Sequence, residues 1–263
     1  MHTTPQRDPG TLTASACAPA TVCLRDVSKS FGSKLAVAKL SLTLHAGEVF
    51  AFLGPNGAGK TTTLKMTTGL LRPDCGTVEV CGARLDGGDP AAKQPIAYVP
   101  DQPFVYEKLT GREFIEFTRT MYGVPRAVAG QRLAELIRRL DMEDFLDRLC
   151  ETYSHGMKQK VALAAALVHA PRVLVVDEPM VGLDPRTARI TREIFRELAD
   201  AGGTVFMSTH TLDIAELLAD RIGIIHRGRL IALGTLAELR RQAATDGRLE
   251  DVFLRLTEEA GPG

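Results

Sequence analysis

The sequence predicts an α/β fold in which a mainly parallel sheet is sandwiched by helices and interrupted by an all-helical segment. Three observations lead there. Short apolar runs of the kind buried on both sheet faces recur at 48–53, 96–99, 173–176, 204–207 and 222–225. Leucine and isoleucine recur between them at three- and four-residue spacing, and strands that alternate with helices pair in parallel. From about 107 to 150 no strand pattern occurs, whereas Phe114, Ile115, Phe117, Leu133, Leu136, Ile137 and Leu140 follow helical spacing.

Taken in chain order, residues 1–20 are rich in Thr, Pro and Ala and have no apolar stretch, so they are expected to be a disordered tail rather than a secretory signal. Structure is expected from Thr21, where 21–27 alternates loosely as a half-exposed strand does. Leu40, Leu42 and Leu44 alternate more cleanly with Ser41 and Thr43. A turn at Gly47 leads into the buried strand that ends at Leu53, and Arg227-Gly228-Arg229 reads as a turn between two late strands. The expected organisation is one α/β domain over 21–240 with a helical insertion at about 103–160, then a C-terminal helix (249–256) and tail within 241–263.

Composition bounds the partners. Apolar residues make up 44% of the 263 and charged residues 24%, enough to bury a sizeable core. Lysine plus arginine (32) balances aspartate plus glutamate (32), which supplies no general attraction for nucleic acid or for a strongly anionic membrane, so no nucleic-acid partner is expected. The five cysteines, Cys17, Cys23, Cys75, Cys81 and Cys150, lack C-x-x-C spacing and read as reduced thiols rather than a disulfide frame or zinc site. No apolar run reaches the ~18–20 residues of a membrane-spanning helix. The greasiest stretch, 161–168, is stopped by His169 and Pro171, so any spanning segment is expected from another chain.

The strand ending at Leu53 runs into Gly54-Pro55-Asn56-Gly57-Ala58-Gly59-Lys60-Thr61-Thr62, a G-x-x-x-x-G-K-[ST] pattern in the right context, strand before and helix after. The three glycines are expected to let the backbone curl so that successive N–H groups face phosphate oxygens. The helix starting near Lys60 turns its positive end to the same anion, Lys60 reaches the β- and γ-phosphates, and Thr61 offers a hydroxyl to Mg²⁺. A second apolar strand ends in Asp177-Glu178. In phosphate-loop enzymes the acid at the strand end holds the metal, which fits Asp177, and Glu178 then faces the attacking water as its polariser or base. Taken alone, the two acids also read as a cap of the next segment.

Tyr153-Ser154-His155-Gly156-Met157-Lys158-Gln159-Lys160 precedes a helix and then the Asp177 strand. That order and spacing resembles the ATP-binding cassette family, whose signature loop usually reads L-S-G-G-Q. Ser154 and Gly156 match, while Tyr153, His155 and Met157 depart, a variant similar to that of bacterial exporter-type cassettes. The resemblance runs from about residue 21 to 256. It implies a P-loop NTPase (RecA-like) core with a mainly parallel sheet, an antiparallel β part and an inserted helical subdomain.

The resemblance also assigns roles. Gly182-Leu183-Asp184 matches the D-loop, Ser208-Thr209-His210 places His210 at the γ-phosphate, and Phe31 falls where an aromatic ring stacks on adenine. Asp101 stands where a glutamine usually touches the metal, with Gln102 next, and which of them serves is left open. Met180 stands where Thr is commoner. ATP and Mg²⁺ are the implied ligands, and ATP hydrolysis the implied activity. Two cassettes would pair head to tail, as a homodimer or with a different cassette, Ser154, His155, Gly156 and Met157 of one completing the site of the other. An integral membrane permease would bind the helical insertion and the loop 101–106, with Tyr106, Arg112 and Phe114 as candidate contacts, and the chain would sit in the cytoplasm on the inner face of the cell membrane. The loop variant and the absence of a further domain after the last helix lean toward export. The alternative is a soluble cassette ATPase acting on ribosomes or nucleic acid, but one cassette, a short insertion and no basic excess argue against it. No N-K-x-D guanine motif supports a GTPase.

Overall fold

The computed structural model describes residues 18–85 and 88–259. Among them ten strands form two sheets. The strands are β1 (Ala20–Phe31), β2 (Lys34–His45), β3 (Val49–Leu53), β4 (Cys75–Val80), β5 (Ala83–Arg84), β6 (Ile96–Val99), β7 (Val173–Asp177), β8 (Thr204–Thr209), β9 (Arg221–His226) and β10 (Arg229–Gly234). Six make the central sheet in the order β10-β9-β3-β8-β7-β6, parallel except for the β9–β10 edge hairpin. The other four make an antiparallel sheet in the order β2-β1-β4-β5. The helices are α1 (Lys60–Thr67), α2 (Gly111–Met121), α3 (Arg126–Arg139), α4 (His155–Leu167), α5 (Pro185–Asp200), α6 (Leu212–Leu218), α7 (Leu236–Gln242) and α8 (Leu249–Glu259).

The central strands are continuously apolar because both their faces are covered. Side chains alternate across a strand, and in β3 Val49, Ala51 and Leu53 enter one core while Phe50 and Phe52 enter another. Likewise Leu174 and Val176 of β7 face the first core and Val173 and Val175 the second. The first core is closed by the helical layer, α4 above all, and the second by the antiparallel sheet and α1. Phe206 of β8 meets Phe50 and Phe52 edge-on, with ring centroids 5.6 and 5.8 Å away.

Between β6 and β7 the described chain is helical, with a single isolated bridge, Thr110 to Leu149, outside the named strands. Thr110 starts α2 with a capping box: its side chain accepts from the Glu113 N–H, and Glu113 accepts from the Thr110 N–H.

Several expectations are corrected. The tail expected to reach residue 20 is tied down earlier: Pro19 O accepts from the Ala46 N–H at 2.9 Å, and β1 starts at Ala20. The rest of that tail, residues 1–17 with Cys17, lies outside the described residues, as do 260–263. β1 and β2 run well beyond the alternating stretches that announce them, since bulges near Asp26 and Lys39, both at positive φ, bend the hairpin and break the alternation. β4 and β5 were not read from the sequence: only Val78 and Val80 of β4 alternate with polar neighbours, and β5 is two residues long. The boundary expected at 240/241 falls inside α7, and Leu239, Ala243, Leu249 and Val252 are buried together in the first core, so α7 and α8 belong to it.

Phe206→Ala is expected to cost about 3–5 kcal/mol of unfolding free energy by urea titration. A loss under about 1 kcal/mol would mean that the second core closes around the gap.

Candidate functional site

The site forms where three buried strands end together, which is where open α/β sheets place their ligands. The loop 54–59 leaves β3. Gly57 (φ +80°) and Gly59 (φ +109°) hold left-handed conformations that side chains disfavour, which gives the loop its curl. Gly54 does not share this role, which corrects the reading of all three glycines as curl-formers. It is there because a Cβ would sit 2.4 Å from the Ile225 carbonyl oxygen. Ala58 is buried, and its N–H donates to Pro55 O.

Lys60 opens α1 and is 6% exposed. Its Nζ donates to Gly54 O at 2.7 Å and Pro55 O at 3.3 Å, and lies 3.9 Å from Glu178 Oε1. Burial holds its ammonium below the ordinary lysine value, opposed by the charges of Glu178 and Asp177.

Thr61 Oγ1 donates to Asp177 Oδ2 at 2.7 Å. The other Asp177 oxygen accepts from the Ser208 hydroxyl at the end of β8. Glu178 follows at φ +50°, a strained conformation for a non-glycine residue of the sort found at functional sites. His210 Nδ1 lies 2.8 Å from Glu178 Oε1, and the His210 N–H donates to Oε2 at 3.3 Å. A hydroxyl beside a carboxylate suits a hard cation. Among the described residues no three His, Cys, Asp or Glu side chains make a ready-made metal cage. An ion here would therefore take ligands from phosphate and water, as magnesium does.

These groups open into a cleft of about 300 Å³. It is lined by Phe31, Lys34 and Ala36 of the β1–β2 hairpin, by Asn56, Gly57 and Gly59 to Thr62, and by Asp101, Asp177 and Glu178. Phe31 is 52% exposed, with the Lys29 ammonium 5.9 Å from its ring centroid. Asp101 lines the cleft, whereas Gln102 is exposed and outside its lining. Lys34 and Ala36 were not read from the sequence, because only the hairpin pairing of Phe31 with Lys34 brings them here. Tyr98 of β6 does not line the cleft; its hydroxyl is shielded without a partner, and burial first, then Asp177 and Asp101, push its phenol above the ordinary value.

The remaining predicted residues are elsewhere. Ser154 caps α4, its Oγ accepting from the Met157 N–H at 3.3 Å. Asp184 caps α5, accepting from the Thr187 N–H at 3.0 Å and its hydroxyl at 2.6 Å, which hold its carboxyl below the ordinary value. None of Ser154, His155, Gly156, Met157 and Asp184 lines the cleft.

A phosphate loop, a strand-end carboxylate pair and a histidine at the next strand end, on a sandwiched parallel sheet, define a P-loop nucleotide-binding domain. The family profile described as "ABC transporter" matches residues 37–181, and the chain belongs to that family. The chain is 39% identical to the linearmycin resistance ATP-binding protein LnrL of Bacillus subtilis (strain 168), over 81% of this chain and 69% of that one. It is 43% identical to the daunorubicin/doxorubicin resistance ATP-binding protein DrrA of Streptomyces peucetius, over 81% of this chain and 64% of that one. It thus spans about two thirds of the length of these relatives. Among solved structures, an ATP-binding subunit of an ABC transporter superposes with a TM-score of 0.87 at 34% identity, covering 90% of this chain and 99% of that one. A dimeric post-hydrolysis state of the ATP-binding cassette MJ0796, bound to ADP and Pi, superposes with a TM-score of 0.75 at 25% identity, covering 82% and 98%.

Gly54→Ala is expected to lower stability by about 1–3 kcal/mol, read as a fall in melting temperature. An unchanged melt would show that Ile225 yields to the new Cβ.

Proposed function

We propose that this chain binds Mg²⁺–ATP in the cleft and hydrolyses it, pairs head to tail with a second cassette, and so powers transport through a separate membrane permease. The observation that carries this reading is that two features suited to a phosphate stand apart on one chain. Lys60, Thr61 and Asp177 line the cleft, while Ser154 and Gly156 stand outside it at an exposed helix start. Two-fold pairing lets each set serve the other's nucleotide. The dimeric, ADP-bound state of MJ0796 supports this geometry.

In this reading the N–H groups of 57–62 cradle the phosphates and Lys60 leaves its carbonyl partners to meet them. Phe31 stacks on the base. Thr61 and Asp177 hold the metal, with Asp101 facing the same space. The ion, when bound, neutralises charge on the phosphate oxygens. Glu178 accepts a proton from, or orients, the attacking water. His210, already hydrogen-bonded to Glu178, turns to the γ-phosphate and keeps the glutamate aligned. Bound nucleotide favours the closed pair, and hydrolysis releases it.

No helix of the described residues is long and apolar enough to cross a membrane, so spanning is assigned to the permease and this chain to the inner membrane face. Phe104, Tyr106, Phe117 and Met121 expose apolar surface around the loop after Asp101 and along α2. Tyr106 packs edge-on against Phe104, Phe114 and Phe117, and Arg112 forks onto Asp147 at 2.7 and 3.0 Å. This face is the proposed permease contact. The resistance functions named for LnrL and DrrA support export.

Glu178→Gln is expected to abolish turnover and to trap an ATP-bound pair, seen by phosphate release and sedimentation; turnover near that of the parent would remove Glu178 from the role of base. Lys60→Ala is expected to weaken ATP binding at least about ten-fold by calorimetry, and unchanged affinity would refute its phosphate contact.

A further inference from the structure

Position 155 carries histidine where the family's usual loop has its first glycine, and the ring has a specific neighbour. His155 is the first residue of α4 and lies against Gly182, in the turn between Glu178 and Asp184. A Cβ on Gly182 would stand 2.5 Å from His155 Cδ2 and 3.2 Å from its Nε2. Gly182 also has φ +76°, so two separate constraints exclude a side chain there. The contact is returned: a Cβ on Gly156 would stand 3.1 Å from the Gly182 carbonyl oxygen. The ring thus fills the gap left by the glycine, and the glycine's carbonyl fits against the second residue of the helix.

The contact is one of packing. His155 Nε2 is shielded and has no hydrogen-bond partner, so the imidazole holds Gly182 by shape. Each side is anchored independently. Ser154 caps α4, while the turn is closed by the Val181 N–H donating to Glu178 O at 3.2 Å and by Asp184 capping α5. The ring therefore joins the loop proposed to meet the second cassette's nucleotide to a turn that begins at this chain's own Glu178.

We propose that His155 is a positioning residue that keys the α4 N-terminus to the Gly182 turn of the same chain, so that Ser154 and Gly156 move with the segment attached to Glu178. This rests on the head-to-tail pairing proposed above. It gives the two nucleotide sites of a pair a mechanical connection: whatever shifts Glu178 in one site shifts the loop presented to the other. With glycine at 155 the ring contact is lost and only the approach of Gly156 to the Gly182 carbonyl joins the two segments.

The test uses the full chain in the Glu178→Gln background with Mg²⁺–ATP. Pairing is followed by sedimentation velocity, and nucleotide binding to single chains, diluted below the pairing range, by a fluorescent ATP analogue. His155→Gly is expected to raise the ATP concentration for half-maximal pairing by about ten-fold while leaving single-chain binding unchanged. His155→Ser, a second truncation with a better start for the helix, is expected to match it. His155→Phe keeps the ring and loses only the unpartnered nitrogen, and is expected to pair as the parent does. Parent-like pairing in both truncations overturns the proposal, as does loss of pairing in His155→Phe or a matching fall in single-chain binding. If the Glu178→Gln parent itself fails to pair with ATP, the pairing reading falls and this inference with it; a parent that pairs while the variants break the expected pattern overturns the inference alone.

Discussion

Asp177 is 3% exposed, at the end of a strand buried along its whole length, and the site is organised through it. One carboxylate oxygen takes the hydroxyl of Thr61 from α1, the other the hydroxyl of Ser208 from β8. A buried carboxylate stands at a large desolvation penalty unless its oxygens are hydrogen-bonded. Its two donors are therefore drawn to it, and with them the start of α1 and the end of β8 are fixed relative to β7. Glu178, the next residue, inherits that placement, and the φ of +50° it adopts turns its side chain toward Lys60 and His210.

The same contacts show a site whose ligand-binding groups are already satisfied from within. Lys60 donates to two carbonyls of its own loop, Thr61 to Asp177, and His210 pairs with Glu178. Each is a stand-in for a contact the proposed nucleotide and metal would make, so binding exchanges hydrogen bonds and leaves few buried groups unpaired at either stage. The framework around them is rigid, since the strands that carry the loop and both acids are packed on both faces.

Much of this architecture was legible because it is written in local patterns. The apolar runs at 48–53, 96–99 and 173–176 became β3, β6 and β7 with ends shifted by a residue or so. The phosphate loop is readable because strand, glycine and helix signals coincide within a few residues. What was not legible depends on contacts distant in sequence. Lys34 and Ala36 join the cleft only through the bent hairpin, and Gly54 answers to the Ile225 carbonyl rather than to its own backbone. Which of Asp101 and Gln102 lines the cleft depends on how the loop after β6 folds, and a sequence does not record that; Asp101 is the one that does. β4 pairs with β1, and β5, only two residues long, pairs in turn with β4, so both join the sheet through partners distant in sequence.

The central claim is that the cleft at Asp177 takes a nucleotide together with a divalent ion. It is tested most directly by calorimetric titration of the full chain with a non-hydrolysable ATP analogue, with and without magnesium. The account predicts one nucleotide per chain, bound more tightly when magnesium is present, because Thr61 and Asp177 then gain the ion in place of each other. Absence of binding, or an affinity indifferent to magnesium, would contradict it.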